Sequence, residues 1–136
     1  MTLTIPVDKI INELLTISEI TNITGTRIYF GEPVFENQQG IYLVLNLISD
    51  LPVQSVERFA RVEFRIIAHN SEVTKKQLVT LIDIINQKLV YDECLWKKDY
   101  DWFKVYVVEE WNSLILWTSD KNRNVLIKDF IFKYVF

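Results

Sequence analysis

Between Val56 and His69 the chain reads VERFARVEFRIIAH, and two kinds of side chain alternate along it. Ala60, Val62, Phe64, Ile66 and Ala68 fall on one face, and Glu57, Arg61, Glu63 and Arg65 on the other. A period of two predicts a strand with one face buried and one face wet. Upstream, Ile41 to Ser49 reads IYLVLNLIS, apolar at nearly every position, which predicts a central strand covered on both faces. Pro52 lies in the connection between these runs, as suits an antiparallel hairpin.

Helical spacing governs two other segments. From Val7 to Ile20, the residues Val7, Ile10, Ile11, Leu14 and Leu15 form an apolar stripe opposite Asp8, Lys9, Asn12, Glu13 and Thr16, predicting one amphipathic helix with Pro6 in its first turn. Asn70 and Ser71 are suited to cap a second helix, Glu72 to Leu89, buried along Leu78, Leu81, Ile82, Ile85 and Leu89. A short strand, Arg27 to Phe30, leads into GEPVFENQQG, which reads as a loop or hairpin connection. Further strands are predicted at Phe103 to Trp111, Leu114 to Thr118 and Val125 to Phe136, with SDKNRN as the turn before the last. The segment order predicts an α+β fold in a single domain, 1–136: a mostly antiparallel sheet with two helices packed on one face.

The closing strand changes that picture. Leu126, Phe130, Phe132, Tyr134 and Phe136 share one face, and Val125, Ile127, Ile131 and Val135 the other. A strand apolar on both sides needs cover on both, and two helices cover one. The second face is closed either by a neighbouring subunit or by the sheet curling over itself as a partial barrel.

Composition narrows the classes of function. At 136 residues with 49% hydrophobic and 13% aromatic residues, the chain can bury a core without staples. One cysteine, Cys94, and one histidine, His69, allow no internal disulfide and no cysteine–histidine zinc site, and a reducing compartment is the simplest reading. No apolar run is long enough to span a bilayer, and the N-terminus lacks the basic and apolar blocks of an export signal, so a soluble intracellular protein with no membrane partner is expected. A net charge of −3, with basic residues scattered among acids, argues against tight nucleic-acid binding.

Catalytic chemistry finds little footing. The three glycines, Gly25, Gly31 and Gly40, do not have the spacing of a phosphate-cradling loop. Neither His69 nor Cys94 has a nucleophile or base partner nearby in sequence, and packed or surface roles account for them better. Asp92, Glu93, Asp99, Asp101, Glu109 and Glu110 lack the spacing of a calcium loop and read as solvated surface, with a small hydrolase or nuclease the outside alternative. The aromatics Tyr91, Trp96, Tyr100, Trp102, Tyr106, Trp111 and Trp117 have no basic groove beside them in sequence, so core packing or a protein interface is favoured over base stacking.

Four stretches carry a resemblance: the opening amphipathic helix, ITGTRIYFGEP leading into IYLVLNLIS, RVEFRIIAHNSEVTKKQLVTLIDIINQKL, and DKNRNVLIKDFIFKYVF. In their order they resemble the tail-terminator, or tail-completion, proteins of long-tailed bacteriophages, small α+β proteins at the head-proximal end of the tail. The family often has a proline ahead of the second strand, where this chain has Gly40, and the tryptophan-rich Trp96 to Trp117 has no counterpart there. The resemblance implies an architectural, non-enzymatic role without cofactor or metal. Copies would form a ring of six that caps the tail tube, stops its polymerisation and meets a head-closure or connector protein. DNA would pass through the lumen without specific binding, and the protein would reside in the virion tail or neck after assembly in the host cytoplasm. Another neck component, a head-closure or connector subunit, is the alternative. The expected interface residues are Arg61, Glu63 and Arg65 as intersubunit ion pairs or lumen lining, the alternative being an ordinary wet sheet face. The aromatics Trp96, Trp102, Phe130, Phe132 and Tyr134 complete the expected interface.

Overall fold

A computed structural model describes residues 5–31, 40–52, 57–68, 75–92, 104–116 and 124–135, with the side chains of 75, 112–116 and 124 left aside. Two short helices open the chain, α1 (Val7–Leu15) and α2 (Ser18–Thr24). The strands β1 (Ile28–Phe30), β2 (Ile41–Pro52) and β3 (Glu57–Ala68) follow. The helix α3 (Lys75–Asn86) runs into a π-helical turn, Gln87–Tyr91, before β4 (Lys104–Leu116) and β5 (Asn124–Val135). The five strands form one sheet in the order β1-β2-β3-β5-β4, antiparallel except for β1 beside β2. The fold is α+β, as the segment order predicts.

Helices α1, α2 and α3 all pack on one sheet face. The stripe Val7, Ile10, Ile11 and Leu14 of α1, Ile20 of α2, and Leu78, Leu81, Ile82 and Ile85 of α3 meet Leu43, Leu45, Val62, Phe64 and Ile66 of the central strands. Fully burying each such side chain contributes about 1.5 to 3 kcal/mol before ordering entropy is set against it. At the centre, Phe64 lies 5.1 Å from Phe130, edge to face, and 6.5 Å from Phe132, near parallel.

Five local expectations are corrected. The helix expected from Val7 to Ile20 breaks at Thr16 and Ile17: the Thr16 hydroxyl and amide both donate to the Glu13 carbonyl, and Ile17 is extended. A side-chain hydroxyl able to satisfy a helix-end carbonyl favours stopping there, and the turn lets Ile20 enter the core. Pro6 stands just ahead of the first helical residue rather than inside the first turn. The connection after β1 is no hairpin, because β1 runs parallel to β2 with Ile28 opposite Leu43, and parallel neighbours cannot be joined by a tight turn. Pro52 closes β2 opposite Arg58 rather than lying in the connection. The two strands expected around Trp111 are one, β4, with register shifts between Val105 and Val107 and between Glu110 and Ser113. Bulges of this kind suit an edge strand, which they twist away from further pairing.

Arg27 braces the corner between α2 and the sheet. Its Nε donates to the Ile41 carbonyl at 3.2 Å. Its guanidinium lies 3.4 Å and 3.3 Å from where side chains at Gly25 and Gly40 would begin, and both glycines hold positive φ, 60° and 81°.

Candidate interaction surface

The face of the sheet away from the helices divides into three zones. At one end Tyr42, Val44, Ile67 and Val125 are buried, with Tyr29 set edge to face against Tyr42. Charge occupies the middle. Arg61 grips Asp129 through two nitrogens, Nε at 2.7 Å and a terminal nitrogen at 2.5 Å, while Arg65 Nε donates to Glu63 at 2.5 Å and Asn46 donates to the same carboxylate at 3.3 Å. Asp129 is nearly buried, and its second oxygen meets no donor among the described residues.

A groove of about 330 Å³ opens at the far end. Leu51, Phe59, Trp111 and Ile131 supply its apolar walls, and Arg61, Glu109 and Lys133 its charged rim. Lys133 pairs with Glu109 at 2.9 Å and holds its amine 4.9 Å from the centre of the Phe59 ring, a cation–π distance. Leu51 is 61% and Trp111 57% exposed. Leu51 faces out because β2 carries a bulge: Leu47 opposes Val62 while Ser49 opposes Arg61, leaving Ile48 as an extra residue. Beyond it the facing is exchanged, so Leu51 shares the wet face with Phe59, and Asp50 turns toward the helices opposite Ala60.

That inward turn gives Asp50 a structural role. Its carboxylate accepts the Ile5 amide at 2.7 Å, Arg58 Nε at 3.0 Å and the Tyr134 hydroxyl, tying the approach to α1 to three strands. Burial first, and then the hydrogen bond to Asp50, push the Tyr134 hydroxyl well above its ordinary pKa. The hydrogen bond to Asp50 raises the pKa of Arg58 too, against the opposing effect of burial.

On the helical side, the π turn throws Tyr91 outward to 64% exposure, the largest among the exposed apolar and aromatic side chains of the described residues. Beside it Lys88 bridges Glu19 at 2.8 Å and Asp92 at 3.4 Å. The Gln87 amide, 2.9 Å away, and then Lys88 hold the Asp92 carboxyl below its usual range. Two shallow depressions between α2 and α3, about 290 and 250 Å³, lie on this flank, and both include Thr80.

Arg61, Glu63 and Arg65 therefore stand on the helix-free face, with ion-pair partners inside the chain. Phe130, Phe132 and Tyr134 do not reach a surface: each is 0% exposed beneath the helices, so the expected interface role gives way to a core role. They sit on the inward parity of β5, which the sequence alone could not tell from its other face because both are apolar. Trp96, Trp102, His69, Cys94, Glu93, Asp99 and Asp101 lie outside the described residues. Glu109 and Glu110 point to opposite faces, each paired with a lysine, Lys133 and Lys128. Among the described residues no three acidic, histidine or cysteine side chains are grouped to hold a metal ion, and no helix is long and apolar enough to cross a membrane. Of the groove's apolar walls, the sequence singles out Trp111 for packing or an interface and Ile131 for the second face of the closing strand, but nothing in it marks Leu51 or the bulge that brings Leu51 there.

No protein-family model and no curated protein matches this sequence. Among solved structures, a chain from the virion of a native gene transfer agent particle is similar, with a TM-score of 0.63 at 8% identity, covering 92% of this chain and 90% of that one. At that identity the likeness is one of fold.

Proposed function

We propose that this chain is a structural subunit of a phage-like virion and, within it, a tail-terminator protein. The observation that carries the reading is the shared fold, end to end, with a chain of a virion particle. The order of sequence segments gives the same direction independently, and the apolar groove on the helix-free face supplies a surface suited to a neighbour. Copies form a ring of six at the head-proximal end of the tail tube. One ring face matches the last tube ring, and the other rejects a further tube subunit and receives the head-closure or connector protein. The ring requires a heterologous contact whose rotation closes.

DNA passes through such a ring without being held. Across the helix-free face Arg61, Arg65 and Lys133 are matched by Asp129, Glu63 and Glu109, so that face offers phosphate little attraction. The protein acts in the virion neck after assembly in the host cytoplasm, and its work is positional rather than catalytic.

Removing the gene from its particle tests this. Tails of uncontrolled length without heads are the expected result. Tails of normal length that lack heads would assign the chain to head closure instead, and intact particles would end the virion reading.

A further inference from the structure

Among the half-buried cations whose side chains are described, all but one have a carboxylate beside them. Arg58, Arg61, Arg65, Lys88, Lys128 and Lys133 pair with Asp50, Asp129, Glu63, Glu19, Glu110 and Glu109 in that order. Arg27 is half-buried too, and no acid among the described residues pairs with it. Its Nε donates to the Ile41 carbonyl, and its two terminal nitrogens meet no acceptor among the described residues. Those nitrogens are not enclosed, since the buried unpaired side-chain atoms of the described residues are Asn86 Oδ1 and Asp129 Oδ1, so a ligand can reach them. A guanidinium drawn partly out of water and given one carbonyl is left incompletely satisfied.

The same group is held in place. The Nε bond fixes its plane, and its terminal nitrogens lie 3.4 Å and 3.3 Å from where side chains at Gly25 and Gly40 would begin. A donor fork fixed before it binds loses little freedom on binding. We propose that Arg27 is a recognition point for a carboxylate, an aspartate or glutamate side chain of a neighbouring protein, taken up by both terminal nitrogens. The neighbour rests on the virion reading above; the anion site does not. Two parallel N–H groups match the two oxygens of a carboxylate. A nucleic-acid backbone would need clustered cations, whereas Arg27 is the sole basic residue in sequence between Lys9 and Arg58. The depression of about 250 Å³ that shares Ile41 with it is lined by Asn22, Ile23, Gln77 and Thr80, without a charged wall.

The test labels the purified full chain with nitrogen-15 and follows the arginine Nε–H signals as sodium acetate is added at constant ionic strength. Arg27 is expected to shift and saturate, while Arg58, Arg61 and Arg65, already paired, bind acetate about tenfold or more weakly. This arm uses the wild type, so it decides even if a variant fails to fold. Arg27→Lys keeps the charge and loses the fork. Its missing signal identifies Arg27, and in particles that lack the wild-type gene it should be incorporated about tenfold less than the wild type. Four arginines that respond alike, or an Arg27 that responds no more than to chloride, would overturn the proposal and leave Arg27 a brace. Inorganic phosphate bound more tightly than acetate would overturn the carboxylate in favour of a phosphate backbone. Normal incorporation of a folded R27K would overturn the neighbouring protein as the source. Acetate held by a chain that particles do without would end the virion reading and leave the anion site standing.

Discussion

Asp50 shows what one residue decides. Its carboxylate is nearly buried and joins the Ile5 amide, Arg58 and Tyr134. Removing one partner of a buried ion pair leaves the other charge uncompensated, so Asp50→Ala should lower unfolding free energy by about 3 to 5 kcal/mol in urea melts. Tyr134 adds a dependence on pH. Its folded pKa is raised, so the stability it contributes is present below the unfolded tyrosine value of about 10 and is lost as pH rises beyond that. Melts between pH 8 and 11 should show stability falling above about pH 10, and Tyr134→Phe should flatten that fall; an unchanged slope would remove Tyr134 as its source. None of this network is legible in sequence. Asp50 reads as an ordinary strand-end acid, and Tyr134 as one more apolar side chain on a two-faced strand.

Elements were more legible than their joints. The alternation from Glu57 to Ala68 identified β3, because a side chain's face on a half-buried strand follows directly from its parity. The stripe of α3 was equally plain. What the pattern hid were the events that change a period: the stop at Thr16, the π turn that carries Leu89 into the core, and the shifts inside β4. Each depends on a hydrogen bond or a neighbour distant in sequence. The parallel pairing of β1 was hidden for a related reason, since three residues carry no direction. Gly25 ends α2 at φ 60° and ψ −137°, a conformation that costs other residues dearly, and Arg27 crowds its position. Gly25→Ala is therefore expected to destabilise by about 1 to 3 kcal/mol. Circular dichroism melts would check it, and a loss well below that range would mean the corner relaxes.

For the whole molecule, the sheet is covered unequally. The helices close one side from Ile41 to Tyr134, while the other is shut at one end, charged in the middle and open at the last. That asymmetry suits a subunit that is finished by its neighbours. Exposed anchors and core residues should then separate cleanly under mutation. Trp111→Ala should change unfolding free energy by no more than about 0.5 kcal/mol, yet, on the virion role proposed above, abolish incorporation into particles. A large loss of stability in that variant would place Trp111 in the chain's own packing instead.

The extra residue in β2 has a consequence for how this protein can vary. Because Ile48 offsets the strand by one, everything beyond it is aimed by a count rather than by its own chemistry. Were the strand to pair straight through at its present length, Leu51 would swing under the helices and Asp50 into solvent in one step, losing both the anchor of the amino-terminal approach and a wall of the groove, whereas loss of Ile48 itself would leave Ser49 against Arg61 and Asp50 against Ala60. The offset at Ile48 and the Asp50 carboxylate are thus tied together, since the one aims the other at Ile5, Arg58 and Tyr134.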